Sequence, residues 1–436
     1  MRDAARAACV SRAFESSWRR RPNLTLDKRT LGPFGFIGKV DRVLRKHSRV
    51  GVKTFELDYD ECGNPNSRNY LDSWLPIAVT PGIEKLILKL NDRGLFKSEF
   101  PEEVAYSWGL TYNFPCSLLS DGSGSSIQHL ELECCVFQPT FQLGSFGSLT
   151  NLHLRYVCIN GEELECLLSS SVMLEQLELD NCLEIMGLKI PGLLHRLSHL
   201  LLRSCGRLQV IENEARNLRS IYIFDAPAGR SPRESIRFGE LLQLKNVDMW
   251  CSNAAYFARS DLPSIAPNLE TLTLGSPSGE MANTPMAPSK FLHLKYLSIE
   301  LQRMNFSPTY DYFSLVSFID ASPSLETFNL TVSQTLMVMT HELVFGAPSS
   351  LRRMPQYGHH HNLRSLNITG FSSVKSLVEL VCHILENATS LKCVTLDTTL
   401  RGVRRVAADS SATKALSAIR KYIQVKVPGT VELRVM

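Results

Sequence analysis

The chain has 436 residues, 44% of them hydrophobic and 21% charged, and carries a net charge of +4. That composition is ordinary for a water-soluble globular protein, and no apolar run reaches the roughly 18 residues a membrane span needs, so no membrane partner is expected. The length exceeds what one compact core accommodates, which leaves several domains or a solenoid in which each repeat touches only its neighbours.

The first residues, MRDAARAACVSRAFESSWRRRPNL, read as helix from the start and lack the basic start, apolar core and cleavage site of a secretory signal. An intracellular protein, cytoplasmic or nuclear, is therefore expected. The 12 cysteines fit that expectation as free thiols: they are scattered, only Cys134 and Cys135 are adjacent, and no Cys-x-x-Cys pair announces a zinc ribbon or a dithiol redox site. The sequons at Asn23, Asn329, Asn367 and Asn387 are read as chance in such a compartment. Charge is uneven. Residues 1–50 hold 13 Lys/Arg against 4 Asp/Glu, and the remainder is net acidic, so the basic excess is local and gives no chain-wide nucleic-acid surface.

In chain order, Ala5, Ala8 and Cys9 share one helical face, and Val10, Phe14 and Trp18, spaced by four, share another; Pro22 ends that helix. Residues 23–50 are read as a linker with an amphipathic helix around 37–48. Ile37, Val40 and Leu44 lie on one side of it, and Lys39, Arg42, Arg45, Lys46 and Arg49 form a solvated basic side. From residue 51 one pattern recurs: apolar, two variable, apolar, one variable, apolar. It appears thirteen times, from VKTFEL (52–57), IEKLIL (83–88), IQHLEL (127–132) and LTNLHL (149–154) to LETFNL (325–330), LRSLNI (363–368) and LKCVTL (391–396), with a central spacing of 21–26 residues. Alternation sends the fourth and sixth residues to one face and the fifth to the other, so each hexapeptide predicts a short strand with one buried side. A lone strand cannot bury that side, whereas parallel stacking of neighbours can. The pattern therefore predicts an α/β leucine-rich-repeat solenoid over 51–400, with a parallel concave sheet and convex helices and turns. Position nine of the repeat, occupied by Asn91, Cys135, Cys182 and Cys205, is expected to bond the backbone of the turn, which makes those cysteines structural.

Residues 58–82, 95–126, 275–290 and 331–362 interrupt the period. The Gly/Ser/Pro-rich stretch at 275–290 is read as a mobile loop. The triplet His359, His360 and His361 has no cysteine or suitably spaced acid in sequence beside it, so no metal is assigned to it. Toward the C-terminus, Val374, Leu377, Leu380, Val381, Ile384 and Leu385 follow the helical period up to Asn387. A second stripe joins Ala415, Leu416, Ile419, Tyr422 and Ile423, and Pro428-Gly429 turns the chain into a last strand that closes the end of the solenoid.

No phosphate loop, metalloprotease helix or nucleophile elbow occurs, so a non-catalytic chain without cofactors or metals is expected. The default recognition surface is the concave face, presented by the third, fifth and seventh residue of each repeat. Its aromatic members Tyr222, Phe224, Trp250 and Tyr296 suit a hot spot, with packing against the 275–290 insertion as the competing use. Earlier repeats offer Glu178 and Asp180 beside Arg155 and Arg203, a mixture that suits a polar protein partner. His129, His153 and His199 lie on the same strands and would hold a metal only if their side chains converged.

The stretch RDAARAACVSRAFESSW resembles the second half of an F-box. Together with FIGKVDRVLRKHSRVGVKTFELDY, the repeats, LVELVCHILENATSLKCVTLD and AIRKYIQVKVPGTVELRV, the chain resembles plant F-box/leucine-rich-repeat proteins with an FBD-like C-terminal region over 363–436. The Leu-Pro start and first helix of the box are missing ahead of Met1, so residues 1–22 are read as a partial box, truncated at its N-terminus. In that family the box binds the Skp-type adaptor of a cullin ubiquitin ligase. The resemblance carries adaptor contact over to Val10, Phe14 and Trp18 alone and implies that adaptor binding is impaired or lost. It implies a substrate-recognition subunit of an SCF-type ligase acting on an unidentified protein substrate. A ligase-independent interaction or decoy protein and a small-ligand sensor stay open beside it.

Overall fold

All thirteen hexapeptides form strands, for the reason their spacing predicts. The computed structural model describes residues 21–47, 51–60, 67–90, 112–120, 122–139, 146–224, 236–276, 280, 283–302, 310–333, 341–345, 351–352, 360–399 and 409–436. In every hexapeptide the first, fourth and sixth residues are buried, from Val52, Phe55 and Leu57 to Leu391, Val394 and Leu396. Each buried Leu, Ile or Val stabilises the fold by about 1.5–3 kcal/mol, and no single strand could realise this without its neighbours.

The chain forms two compact units, one up to Ala215 and the other from Arg216. The first carries seven parallel strands in sequential order: β1 (Asn23–Leu26), β2 (Thr54–Asp58), β3 (Lys85–Lys89), β4 (His129–Glu133), β5 (Asn151–Arg155), β6 (Gln176–Asp180) and β7 (His199–Arg203). Strand β1 corrects the reading of 23–50 as linker plus helix. Its Leu24 and Leu26 are buried like the fourth and sixth residues of a repeat, but Arg21 stands where the first apolar residue belongs, and the hexapeptide pattern misses it. The amphipathic helix is present as α1 (Phe36–Lys46). It buries Phe36, Val40, Val43 and Leu44 and leaves Arg42 and Lys46 exposed, while Arg45 pairs with Asp41 at 2.9 Å. The insertion after β2 folds into α2 (Ser67–Ala78), whose Leu71, Trp74 and Leu75 are fully buried. Helix α3 (Gly161–Ser169) starts on a capping box in which Asn160 accepts from the Glu163 amide and Glu163 accepts from the Asn160 amide.

The strand ends of the first unit share one device. The eighth residue of four successive repeats, Cys134, Tyr156, Asn181 and Ser204, takes φ between +50° and +58° and turns the chain off the sheet. The ninth residue then points inward. The Cys182 thiol lies 3.4 Å from the Leu154 carbonyl oxygen and the Cys205 thiol 3.4 Å from that of Arg203. Burial raises both thiols, Cys205 to about 11, so they are inert structural groups, as position nine predicts. A second parallel pair, Gly187–Ile190 with Val210–Asn213, lies outside the hexapeptide pattern.

The second unit carries eight parallel strands: β8 (Ser220–Phe224), β9 (Asn246–Trp250), β10 (Thr271–Ser276), β11 (Tyr296–Gln302), β12 (Thr327–Ser333), β13 (Ser365–Thr369), β14 (Cys393–Asp397) and β15 (Glu432–Val435). The last of these pairs with β14 and covers its edge, as a terminal strand should. Helices α4 (Ala254–Ser260), α5 (Val316–Asp320), α6 (Lys375–Asn387) and α7 (Asp409–Ala418) connect the strands, and α7 runs on into a π-helical turn over Ile419–Ile423. Helix α6 ends at Asn387 as its period predicts. It is buried on nearly every side, Glu379 and His383 included, where the pattern predicts only an apolar stripe.

The 275–290 stretch departs from its composition. Glu280 is fully buried, and Ser276 and Thr284 are buried with it. The Glu280 carboxylate accepts the Ala255 amide at 2.8 Å and the Ser276 hydroxyl, so a segment read as mobile is tied to the start of α4. Val10, Phe14 and Trp18 lie outside the described residues, as do Arg49, Asn91 and His359. Among the described residues no helix is long and apolar enough to cross a membrane.

Candidate partner-binding surface

The two units present opposite chemistry on the sheet face away from their cores. In the first, the seventh residues of successive repeats line up in register: Asp58, Lys89, Glu133, Arg155, Asp180 and Arg203. The charge alternates at every step across six strands. Arg155 lies 3.5 Å from Asp180 and 3.9 Å from Glu133, and Arg203 lies 3.7 Å from Asp180 on its other side. Three of the four charged residues assigned to a polar partner, Arg155, Asp180 and Arg203, thus neutralise one another, with both arginines about half exposed. The fourth, Glu178, sits between His153 at 3.5 Å and His199 at 3.7 Å.

Two neighbouring rows bring histidines together. His129, Glu131 and His153 offer ligand atoms within 4.8 Å of one another, a convergence that spacing alone does not reveal. The His129 contact holds the Glu131 carboxyl down at about 2, against burial and with help from Lys89. Burial pushes the His153 imidazolium below its ordinary range. The Lys89 ammonium stands 3.0 Å from Glu131, so a cation already occupies the carboxylate that a metal would need.

In the second unit the matching row is uncharged between Asp248 and the terminal Arg434: Tyr222, Asp248, Thr273, Ser298, Asn329, Asn367, Thr395 and Arg434 are register partners. Asn367 donates to Asn329 at 2.8 Å, and Asn329 donates to the Tyr296 hydroxyl at 2.8 Å, which makes a continuous amide ladder. Beside it, Phe224 and Trp250 stack with centroids 6.3 Å apart and planes at 30°. Trp250 donates its indole N–H to Asp248 at 2.7 Å, and its ring fills the space over Gly275, where a β-carbon would come within 2.4 Å of it. The structure therefore brings Phe224 and Trp250 together as one half-buried shelf, with Tyr222 one row away and Tyr296, 38% exposed, two strands on. The absence of a side chain at 275 is the signal that sequence reading missed.

Parallel strands at this interval, each burying the same three apolar positions and presenting polar ones opposite, define a leucine-rich-repeat solenoid of the α/β class. The profile of the At1g61320/AtMIF1 LRR domain family matches residues 43–436, and the chain belongs to that family. The F-box/LRR-repeat protein At5g02910 of Arabidopsis thaliana is 28% identical over 194 residues, which is 44% of this chain and 37% of that relative. Among solved structures, the plant peptide hormone receptor RGFR1 in complex with RGF2 aligns with 72% of this chain and 62% of the receptor chain, at 13% identity and a TM-score of 0.19.

Proposed function

We propose that this chain is the non-catalytic recognition part of a plant F-box/LRR-repeat protein, and that its sheet face selects a protein substrate for an SCF-type ubiquitin ligase in the cytoplasm or nucleus. The observation that carries the reading is the Phe224–Trp250 shelf beside the amide ladder. Half-buried aromatic rings on a sheet face that also carries a row of amide and hydroxyl groups are the composition of an interface hot spot. The charged face of the first unit is internally neutral, so it supplies register and selectivity against like charges more than affinity. The relative's name and the resemblance of residues 1–22 to the second half of an F-box support a Skp-type adaptor as the family's partner, with contact at Val10, Phe14 and Trp18 and with binding impaired or lost because only half of the box is matched. The resemblance of 363–436 to an FBD region supports the same family setting.

The test uses the full chain in two arms. Direct binding to a purified Skp-type adaptor is measured first. Binding supports ligase recruitment, whereas its absence with substrate capture intact assigns the ligase-independent role. In the second arm, proteins captured by the wild-type chain are compared quantitatively with those captured by Trp250→Ala and by Arg42→Ala, a change on the exposed side of α1. A set of partners lost tenfold or more with Trp250→Ala and retained with Arg42→Ala supports the shelf. Identical capture by all three rejects it.

A further inference from the structure

Three residues far apart in sequence meet in the second unit. Asp320 ends α5, His360 precedes β13, and His383 lies in α6. The His360 Nε2 atom is 3.2 Å from Asp320 Oδ1 and the His383 Nε2 atom is 4.0 Å from the same oxygen. One ligand atom from each of the three lies within 4.8 Å of the others. Both imidazoles are more than nine-tenths buried, and neither Nε2 atom makes an aligned hydrogen bond. Two buried imidazole nitrogens from different elements thus converge on one carboxylate oxygen, the arrangement of a three-ligand site.

We propose that Asp320, His360 and His383 form a binding site for a divalent first-row transition ion of the zinc class. The donor set is two imidazole nitrogens and one carboxylate oxygen, which suits zinc, cobalt(II) or nickel(II) and offers too few oxygens for calcium or magnesium. Bonds of about 2.0–2.1 Å in a tetrahedron hold ligand atoms about 3.3 Å apart. The His360–Asp320 pair already meets that spacing, and His383, 4.0 Å from the same oxygen, draws closer on binding. The nearest buried cation, Arg259, does not occupy the carboxylate. Its guanidinium donates instead to the carbonyl oxygens of Ser317 and Ser289, both at 2.9 Å, and of Ala287.

The surroundings hold the ligands in place. The His360 amide donates to the Asn387 carbonyl oxygen at 3.0 Å, which ties the segment entering β13 to the end of α6. The edge of the Phe313–His383 ring pair, with centroids 5.8 Å apart, walls the site on one side. Asn387 stands 3.4 Å from His383 Nδ1, on the side of the ring away from Asp320, where a ligating histidine is normally steered by an outer partner. Metal binding through Nε2 places the proton on Nδ1. Asn387 Oδ1, itself buried without a partner, accepts that proton if the amide rotates and gives up its 2.8 Å bond to the His383 carbonyl oxygen. The site is structural in kind: an ion there clips the long connection between β12 and β13 onto two helices, and closing a long loop is where such a clip has most effect.

The experiment takes the full chain, stripped with a chelator, and titrates zinc against a chromophoric competitor at neutral pH. Wild-type protein is expected to take up an equivalent of zinc that Asp320→Asn and His360→Gln each weaken at least about 100-fold, a ligand mattering at least as much as an outer partner does. His153→Gln, on the sheet of the first unit, leaves that equivalent unchanged. Zinc at about a hundred times its dissociation constant raises the melting temperature of wild type by several degrees and leaves Asp320→Asn unmoved. Equal uptake by wild type and Asp320→Asn, or loss that follows His153→Gln, overturns the proposal. If neither ligand variant folds, cobalt(II) is added to wild type: visible ligand-field bands of a four- or five-coordinate nitrogen/oxygen site, displaced by one equivalent of zinc, support it. Wild-type protein that binds neither ion sinks it, whatever the variants do.

Discussion

Trp250 occupies the space that a side chain on Gly275 would need: a β-carbon there would come within 2.4 Å of the indole. The two residues are register partners on adjacent strands, so the aromatic shelf exists because its neighbour is glycine. Gly275→Ala is expected to push Trp250 off its stack with Phe224 and to cost about 1–3 kcal/mol, as overpacking does. Urea unfolding gives the cost, and the near-ultraviolet circular dichroism of the indole reports the displacement. An alanine variant with wild-type stability and an unchanged indole signal would show that the shelf is not held this way.

The alternating row through Arg155, Asp180 and Arg203 leads to the opposite expectation. Its arginines are about half exposed, and its pairs are 3.5–3.9 Å apart. The guanidinium ends of these pairs stay in solvent and none is in close contact, so each contributes roughly 0–1 kcal/mol, and Asp180→Asn, which keeps the shape of the side chain, should leave stability within about 1 kcal/mol of wild type. What it changes is charge pattern: two arginines lose their shared acid, and the face becomes locally basic. The rate of association with an acidic partner should rise and become more sensitive to salt. Stability by denaturant titration and association rates at two ionic strengths check the two halves separately.

Most of the fold was legible because one physical requirement repeats. An apolar residue at the first, fourth and sixth positions is needed every time a strand joins the stack, and all thirteen matches obey it. Strand β1 escaped only because Arg21 breaks that rule. The charge ladder was also written in the chain, but it becomes visible only when the seventh residues are read across repeats, since along the chain Arg155 and Asp180 are merely scattered. The rest could not be seen at all. Nothing local connects Asp320 with His360 or His383, because their meeting depends on how two helices and an insertion fold back. Composition made 275–290 a loop, yet it could not say that Glu280 would be buried at the start of α4.

A similar long-range contact holds the insertion before β13. Arg352 donates to Glu379 at 2.7 Å and to both oxygens of Asp311, at 2.6 and 2.8 Å, with its guanidinium 4.9 Å from the Phe313 ring centre. The Glu379 side chain is fully buried. Removing the arginine leaves that carboxylate in the interior without its cation, so Arg352→Ala should cost about 3 kcal/mol. The double variant Arg352→Ala/Glu379→Gln should recover much of the loss, because the buried charge is gone as well. A double-mutant cycle from urea midpoints decides it, and additive effects would mean the two residues act independently.

Glu280 gives the second unit a pH dependence of definite sign. Burial lifts its carboxyl to about 7, against the Ser276, Ala255 and Tyr256 hydrogen bonds that pull it down. The folded chain therefore binds this proton more tightly than the unfolded chain, whose carboxyl titrates near its ordinary value of about 4.3. The stability it contributes is complete below pH of about 4.3 and is lost as pH rises to about 7, to a total of about 4 kcal/mol. Asp320 runs the other way: its carboxyl is held at about 2, so its contribution is present above about 3.9 and disappears only as pH falls toward 2. Glu280→Gln keeps an acceptor for the Ala255 amide and removes the titration. Urea midpoints of wild type should fall between pH 5 and pH 8, and those of the glutamine variant should fall less, so that the variant is the more stable protein at pH 8. Parallel curves for the two proteins would mean that Glu280 is not the group that titrates.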